Sequence, residues 1–168
     1  MRILRDTEIA ALLSGPKLPE TWRNRLRFKE KSNCQHEECS LEAIGANGNL
    51  FRISLRRNKI NTFDFSIILI FRDKDGHEYR LLRYNGKHPS NHTNRWEKER
   101  GLPNHTFSPD FHIHRATERY QEAGYPKESI DGFAEKTTRY HDFHSALDCF
   151  LKDNNFQQPE TSQPNLFR

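Results

Sequence analysis

Residues 108–120 read SPDFHIHRATERY. Asp110, His112 and His114 occupy every second position, with Phe111 and Ile113 between them. Period-two alternation marks a strand with one buried face, because successive side chains point to opposite sides. With Phe111 and Ile113 inward, the two imidazoles share the other face, their Cα atoms ~6–7 Å apart, and Asp110 is the next residue of that row. Two imidazoles so placed can flank a phosphate, one as general base and the other as general acid. Their ordinary pKa of about 6.5 suits both tasks at neutral pH. A carboxylate beside one ring can set its tautomer and raise its basicity.

A second group stands upstream. LLRYNGKHPSNH, residues 81–92, reads as a strand end that delivers Arg83, Tyr84, Lys87, His88 and His92 into a long loop. An antiparallel pairing would bring that loop beside His112. His88 would then assist the pair, Tyr84 would contact substrate, and Arg83, Lys87 and Arg115 would hold a phosphate and offset its transition-state charge. The expected reaction is attack of an RNA 2′-OH on its own phosphate, giving a cyclic phosphate, with no cofactor required. A rival chemistry uses the same residues. His-x-His on a strand chelates well, so His112, His114 and Asp110, completed by His88 or His105, are an alternative site for a divalent transition metal. The segment NCQHEEC has two cysteines and His36 but no second ligand pair, and reads as a polar loop.

Other candidates have plainer readings beside the functional ones. His141 and His144 flank the start of the last helix and suit surface or capping roles. Trp96 and Tyr120 either stack on bases or pack at a loop margin. The run Arg23, Arg25, Arg27, Lys29 suits a solvated edge strand as well as an RNA track.

These groups need a frame, and the hydrophobic pattern predicts one. RDTEIAALLSG is a short N-terminal helix, capped by Asp6 or Thr7 and stopped by Gly15 and Pro16. WRNRLRFKEKS, residues 22–32, is a possible first strand. NLFRISLRRN alternates as a half-buried strand. TFDFSIILIFR has apolar residues on both faces and suits a central strand covered on both sides. DKDG, residues 73–76, turns the chain into the next strand, HEYRLLRYNG. Residues 86–109 show no period, although RWEKER suits a turn or two of helix. EKTTRY is a possible last strand, and DFHSALDCFLKDNNF is an amphipathic closing helix. The expected fold is α+β: an antiparallel sheet with N- and C-terminal helices packed on one face. It forms a single domain over residues 1–155, and residues 156–168 are a disordered tail.

Composition bounds the function. The 168 residues carry a net charge of +4 and a mean hydropathy of -0.99, with twelve Phe, five Tyr and two Trp to build a core. Residues 1–100 hold 20 basic and 13 acidic residues, and residues 101–168 hold 7 and 10. A basic first part suits a polyanion. Three cysteines make no disulfide framework, and FSIILIF is too short to span a bilayer. The N-terminus is a poor signal peptide, so a cytoplasmic location without membrane contact is expected.

Residues 49–155 resemble small prokaryotic proteins in which a hairpin ends in an Arg-aromatic-polar-x-x-His element, followed by a variable loop, a His-x-His strand and an amphipathic helix. Here these parts are LLRYNGKH, the loop 86–109, FHIHR and HSALDCFLKDNN. The pattern is similar to the toxins of TumE-type toxin–antitoxin modules. That resemblance implies a growth-inhibiting endoribonuclease with RNA as target and a cognate antitoxin as partner, with His88, His112 and His114 as its functional residues and Arg83 beside them. Asn85 stands where an acidic residue is expected. From a different class, a non-catalytic module that binds nucleic acid or protein through the basic sheet remains open.

Overall fold

In the computed structural model, residues 2–20, 26–30, 35–125 and 130–157 are described. Alternation produces the strands where it is clean. Residues Phe51, Ile53 and Leu55 are buried along one face of β4 (Leu50–Asn58). Phe65, Ile67, Leu69 and Phe71 are buried along β5 (Phe65–Arg72). The fold is α+β, as expected. Its remaining strands are β1 (Lys17–Pro19), β2 (Lys29–Glu30), β3 (His36–Gly45), β6 (Glu78–Asn85), β7 (His92–Thr93), β8 (Thr106–Phe107), β9 (His112–Arg115) and β10 (Phe133–Lys136). The main sheet runs β1-β3-β4-β5-β6-β9-β10 with β2 also on β3, and β7 with β8 forms a separate ribbon. The strand pairs are antiparallel.

Two helices close one face. α1 (Asp6–Ser14) contributes Ile9 and Leu12, and α4 (Phe143–Asp153) contributes Phe143, Ala146, Leu147 and Phe150, to the same apolar cluster as β4 and β5. Asp142 begins α4 with a capping box, its carboxylate accepting from the Ser145 backbone N–H at 2.7 Å. Lys17 joins the two helix ends. Its Nζ, fully buried, donates to the carbonyls of Leu13, Gly15 and Asn154 at 2.8–3.0 Å. Burial pulls this ammonium down to about 8, while the carbonyls left over at helix C-termini give its charge a place to go.

Several boundaries differ from the sequence pattern. The residue before α1 is Arg5, without a side-chain cap. Asp6 instead accepts from the Glu118 N–H at 2.8 Å, satisfying the start of α3 (Glu118–Glu122). Part of the segment read as a polar loop is the first half of β3, which pairs with all of β4. Its inward positions are Cys39, Leu41 and Ala43, too small and mixed to give a strong period. The predicted strand over 22–32 is seen only as β2, and residues 21–25 and 31–34 lie outside the described ones. The last strand, β10, begins two residues before EKTTRY. Phe156, placed in the tail by the sequence reading, is buried, stacks on Phe150 and bridges to Lys17. Residues 158–168 lie outside the described ones. No helix among the described residues is long and apolar enough to cross a membrane.

The second face of the sheet carries the chemistry. The β5–β6 register shifts between Leu69 and Ile70, and Leu81 and Leu82 are both buried. Such a bulge changes the phase of the strand. It leaves Tyr79, Leu82 and Tyr84 opposite the core residues of β5, and puts Arg80, Arg83 and Asn85 on the other face with Ile70, Ile68 and Ser66. Ile70 is buried there and Ile68 half-buried, so the apolar second face expected of the central strand is covered in part.

Candidate functional site

β9 lies between β6 and β10. His112 pairs with Asn85 and Lys136, and His114 with Arg83 and Ala134. Phe111 and Ile113 are buried toward the core, as the alternation requires, and the imidazoles take the opposite face. That face is not open: His112 is 4% and His114 3% exposed. Residues 86–111 leave β6 and re-enter β9 at paired positions, so the loop must turn back on itself. It folds into the β7–β8 ribbon with α2 (Arg95–Glu99) between. The Asn94 side chain then clasps the edge strand, its Nδ2 donating to the Ala134 carbonyl at 2.9 Å and its Oδ1 accepting from the Ala134 N–H at 2.8 Å.

This clasp brings a third imidazole to the pair. His92 on β7 has its ring centroid 4.6 Å from that of His114 and 5.5 Å from that of His112, which are 4.9 Å from each other. One nitrogen from each of the three rings lies within 4.8 Å of the others. They line a cleft of about 270 Å³ together with Arg83, Asn85, His88, Arg95 and Asp131.

Backbone and amide groups set the tautomers. His112 Nδ1 donates to the Asp110 carbonyl at 2.6 Å, and Asn85 Nδ2 lies 3.2 Å from the Nε2 lone pair this leaves. Ser66 Oγ donates to Asn85 Oδ1 at 2.9 Å and thereby orients that amide. The clasp on Ala134 makes Asn94 Oδ1 an acceptor, so His92 Nε2, 2.8 Å away, carries hydrogen and Nδ1 holds the lone pair. His114 Nδ1 is 2.9 Å from the Asp131 carbonyl and 3.1 Å from Arg83 Nη2. The carbonyl only accepts and the guanidinium only donates, so the two compete for Nδ1: an N–H there bonds Asp131 and leaves Nε2 basic, whereas a bare Nδ1 accepts from Arg83. Imidazoles held through one nitrogen by a carbonyl or amide oxygen, with the other available, are the usual state of metal-binding histidines, and His112 reaches that state only when Asn85 Nδ2 gives up its Nε2.

Burial keeps these rings neutral. It drives His112 down to about 4 and His114 well below its ordinary value, with neighbouring imidazoles and Arg83 acting in the same direction. His92 is lowered by burial too, although Asn94, Gly132 and Asp131 favour its charged form. Arg83 and Asp131 form an ion pair beside them in the cleft, Asp131 buried and Arg83 half-buried, with Nε and Oδ2 3.1 Å apart. Burial lowers the guanidinium and raises the carboxyl. The contact is one of charge rather than an aligned hydrogen bond, since neither Asp131 oxygen nor Arg83 Nε has a hydrogen-bond partner.

His88 and Arg83 therefore join His112 and His114 at one cleft, as the sequence suggested. Other expected members do not. Arg115 follows Ile113 in the alternation and lies on the core side, where its charge acts on Tyr84 and Asp153. Tyr84 is 1% exposed, stacks on Tyr140 and donates its hydroxyl to Asp153. Lys87 lies over the Phe111 ring, 3.9 Å from Asp110. The Asp110 carboxylate sits between Lys87 and Lys136, exposed, and only its backbone carbonyl reaches the site. His92, not Asp110, converges with His112 and His114. His105 bonds Thr106 instead. Tyr120 is buried with its hydroxyl 2.7 Å from Glu97, and Trp96 is stacked by Arg100 at 4.0 Å, so both pack rather than present a base platform. The sequence names His92 only as one of the residues delivered into the loop and gives no signal for Asp131, because a docked loop and the β10 connection place them.

A glycine at the exit of β6 aims the loop. A Cβ at Gly86 would lie 1.8 Å from the Phe63 carbonyl oxygen, the same oxygen that accepts from Lys87 N at 2.7 Å. Gly86→Ala must push the chain off β5 and shift His88. We expect a loss of about 1–3 kcal/mol in urea unfolding, and an unchanged midpoint would show that the close approach is unimportant.

Comparison of the chain with family models, with curated proteins and with solved structures finds no match.

Proposed function

We propose that this protein is a metal-dependent phosphodiesterase, with RNA as substrate and a divalent transition metal held by His92, His112 and His114. The observation that carries the reading is the convergence of three imidazoles, two buried and one half-buried, each with one nitrogen facing an oxygen acceptor. Three nitrogen donors suit zinc, whose bonds of ~2.0–2.1 Å would require the three nitrogens to draw together. Such an ion polarises a phosphoryl oxygen and makes bound water nucleophilic near neutral pH. Arg83, at the cleft and beside His114, supplies positive charge for the phosphate. The basic first hundred residues and the likeness to TumE-type toxins support RNA, and with it a cognate antitoxin as partner.

The metal-free alternative needs one imidazole of the His112/His114 pair to be protonated as the acid. Burial opposes that charge on both, which favours the metal reading. Elemental analysis and RNA cleavage with and without EDTA decide between them. About one bound metal per chain and cleavage abolished by EDTA and restored by zinc are the expected results. EDTA-resistant cleavage that disappears in His112→Ala would return the assignment to the metal-free pair. Salt-sensitive RNA binding without turnover would favour a binding module.

A further inference from the structure

We propose that His88 is the catalytic acid of this centre, protonating the leaving oxygen of the phosphodiester, and that Asp64 is its positioning residue. The inference rests on the metal-dependent reading and adds the group that such an ion does not supply. His88 is not one of the three clustered ligands: its ring lies 6.1 Å from that of His112, nearly perpendicular to it, at the wall of the same cleft. Its side chain is 26% exposed, so it meets both substrate and solvent.

The imidazole is aimed from behind. Asp64 Oδ1 lies 2.7 Å from His88 Nδ1, and Oδ2 accepts from Asn58 Nδ2 at 3.2 Å and lies 3.0 Å from His36 Nε2. Burial of Asp64 works against its charge, but hydrogen bonds from His36, Asn58 and His88 hold its carboxyl below the usual range. A carboxylate so anchored accepts Nδ1–H and leaves Nε2 as the nitrogen that carries or releases the working proton. The backbone reinforces the aim, since Gly86 and Lys87 donate to the Phe65 and Phe63 carbonyls on either side of Asp64.

In the step itself, the oxygen of water forms a bond to phosphorus and the P–O bond to the leaving group breaks. The departing electron pair takes the proton from His88 Nε2. The attacking water gives a proton to solvent, and His88 regains one from solvent. The net change is one water consumed and one phosphomonoester and one alcohol formed.

Leaving-group dependence tests the role. An RNA dinucleotide expels a poor alkoxide that needs a proton, whereas bis(4-nitrophenyl) phosphate expels a phenolate that does not. With zinc-loaded protein, His88→Gln should slow the dinucleotide ~10²–10³-fold and the nitrophenyl ester by less than about threefold. Asp64→Asn should show the same split at smaller size. The cobalt-substituted absorption spectrum of each variant should match that of the unaltered protein, showing that fold and centre are intact. Equal slowing of both substrates, or no slowing of either, overturns the acid role while leaving the metal centre standing. Failure of the metal-loaded unaltered protein to turn over either substrate overturns the phosphodiesterase reading, and the role of His88 with it.

Discussion

His114→Ala is expected to abolish stoichiometric zinc binding. His114 is the most buried of the three imidazoles, and the Asp131 carbonyl and Arg83 both meet its Nδ1. Alanine removes one of three clustered nitrogen donors. Loss of an outer partner of a ligand typically costs ~10–100-fold in affinity. Asn94→Ala, which frees His92 and opens the clasp on β10, should fall in or beyond that range, and His114→Ala should exceed it. Competition against a chromophoric chelator measures both. His105→Ala is the control, since that ring bonds Thr106 and lies outside the cluster. Zinc binding by His114→Ala as tight as that of the unaltered protein would remove the centre from consideration.

The metal-free protein should lose stability steeply as the pH falls from 6.5 to 4. An unfolded histidine takes up its proton near pH 6.5, whereas folded His112 waits until about 4. Between those values the unfolded chain binds a proton that the folded chain does not, so the balance moves toward unfolding as the pH falls. Stability from this group is complete above the unfolded pKa and is lost by the time the folded pKa is reached. For His112 alone the change is about 3 kcal/mol. His92 and His114, shifted in the same direction, steepen it. Asp131, whose carboxyl burial raises, opposes the trend, while Asp64 and Asp153, held low, add their own losses only below about pH 4. Urea midpoints at a series of pH values with EDTA present measure the effect. Zinc should flatten the curve at its neutral end, because a bound ion excludes the protons. A midpoint that does not move between pH 7 and 5 would mean that the three imidazoles are not buried as neutral groups.

The two effects share one cause, which is the loop laid over the outer face of the sheet. Removing water from three imidazoles is costly for their charged forms and favourable for a metal that needs their lone pairs. The same covering sets the tautomers, because a buried N–H must find an acceptor and the nearest ones are backbone carbonyls and one asparagine.

Much of this could be read from the residues in order. The α+β class, β4, the β5–β6 hairpin, the one-faced histidine pair and α4 follow from periods of two and 3.6, which backbone geometry imposes on any chain. The wrong placement of Arg115 and Tyr84 was also legible, since Arg115 shares the parity of Ile113 and Tyr84 opposes Arg83 in phase. β3 was hidden because its inward residues, Cys39 and Ala43 among them, give a faint period. What only the tertiary structure decided is the third imidazole of the cluster and the carboxylates near the rings. His92 lies 20 residues from His112 in a loop without a period, and the clasp of Asn94 on Ala134 sets its position. Asp64 reaches His88 because Gly86 lets two chain segments touch. Local sequence sets which way a side chain points, but which distant side chains meet depends on strand register and loop docking, and those are settled by the packing of the whole chain.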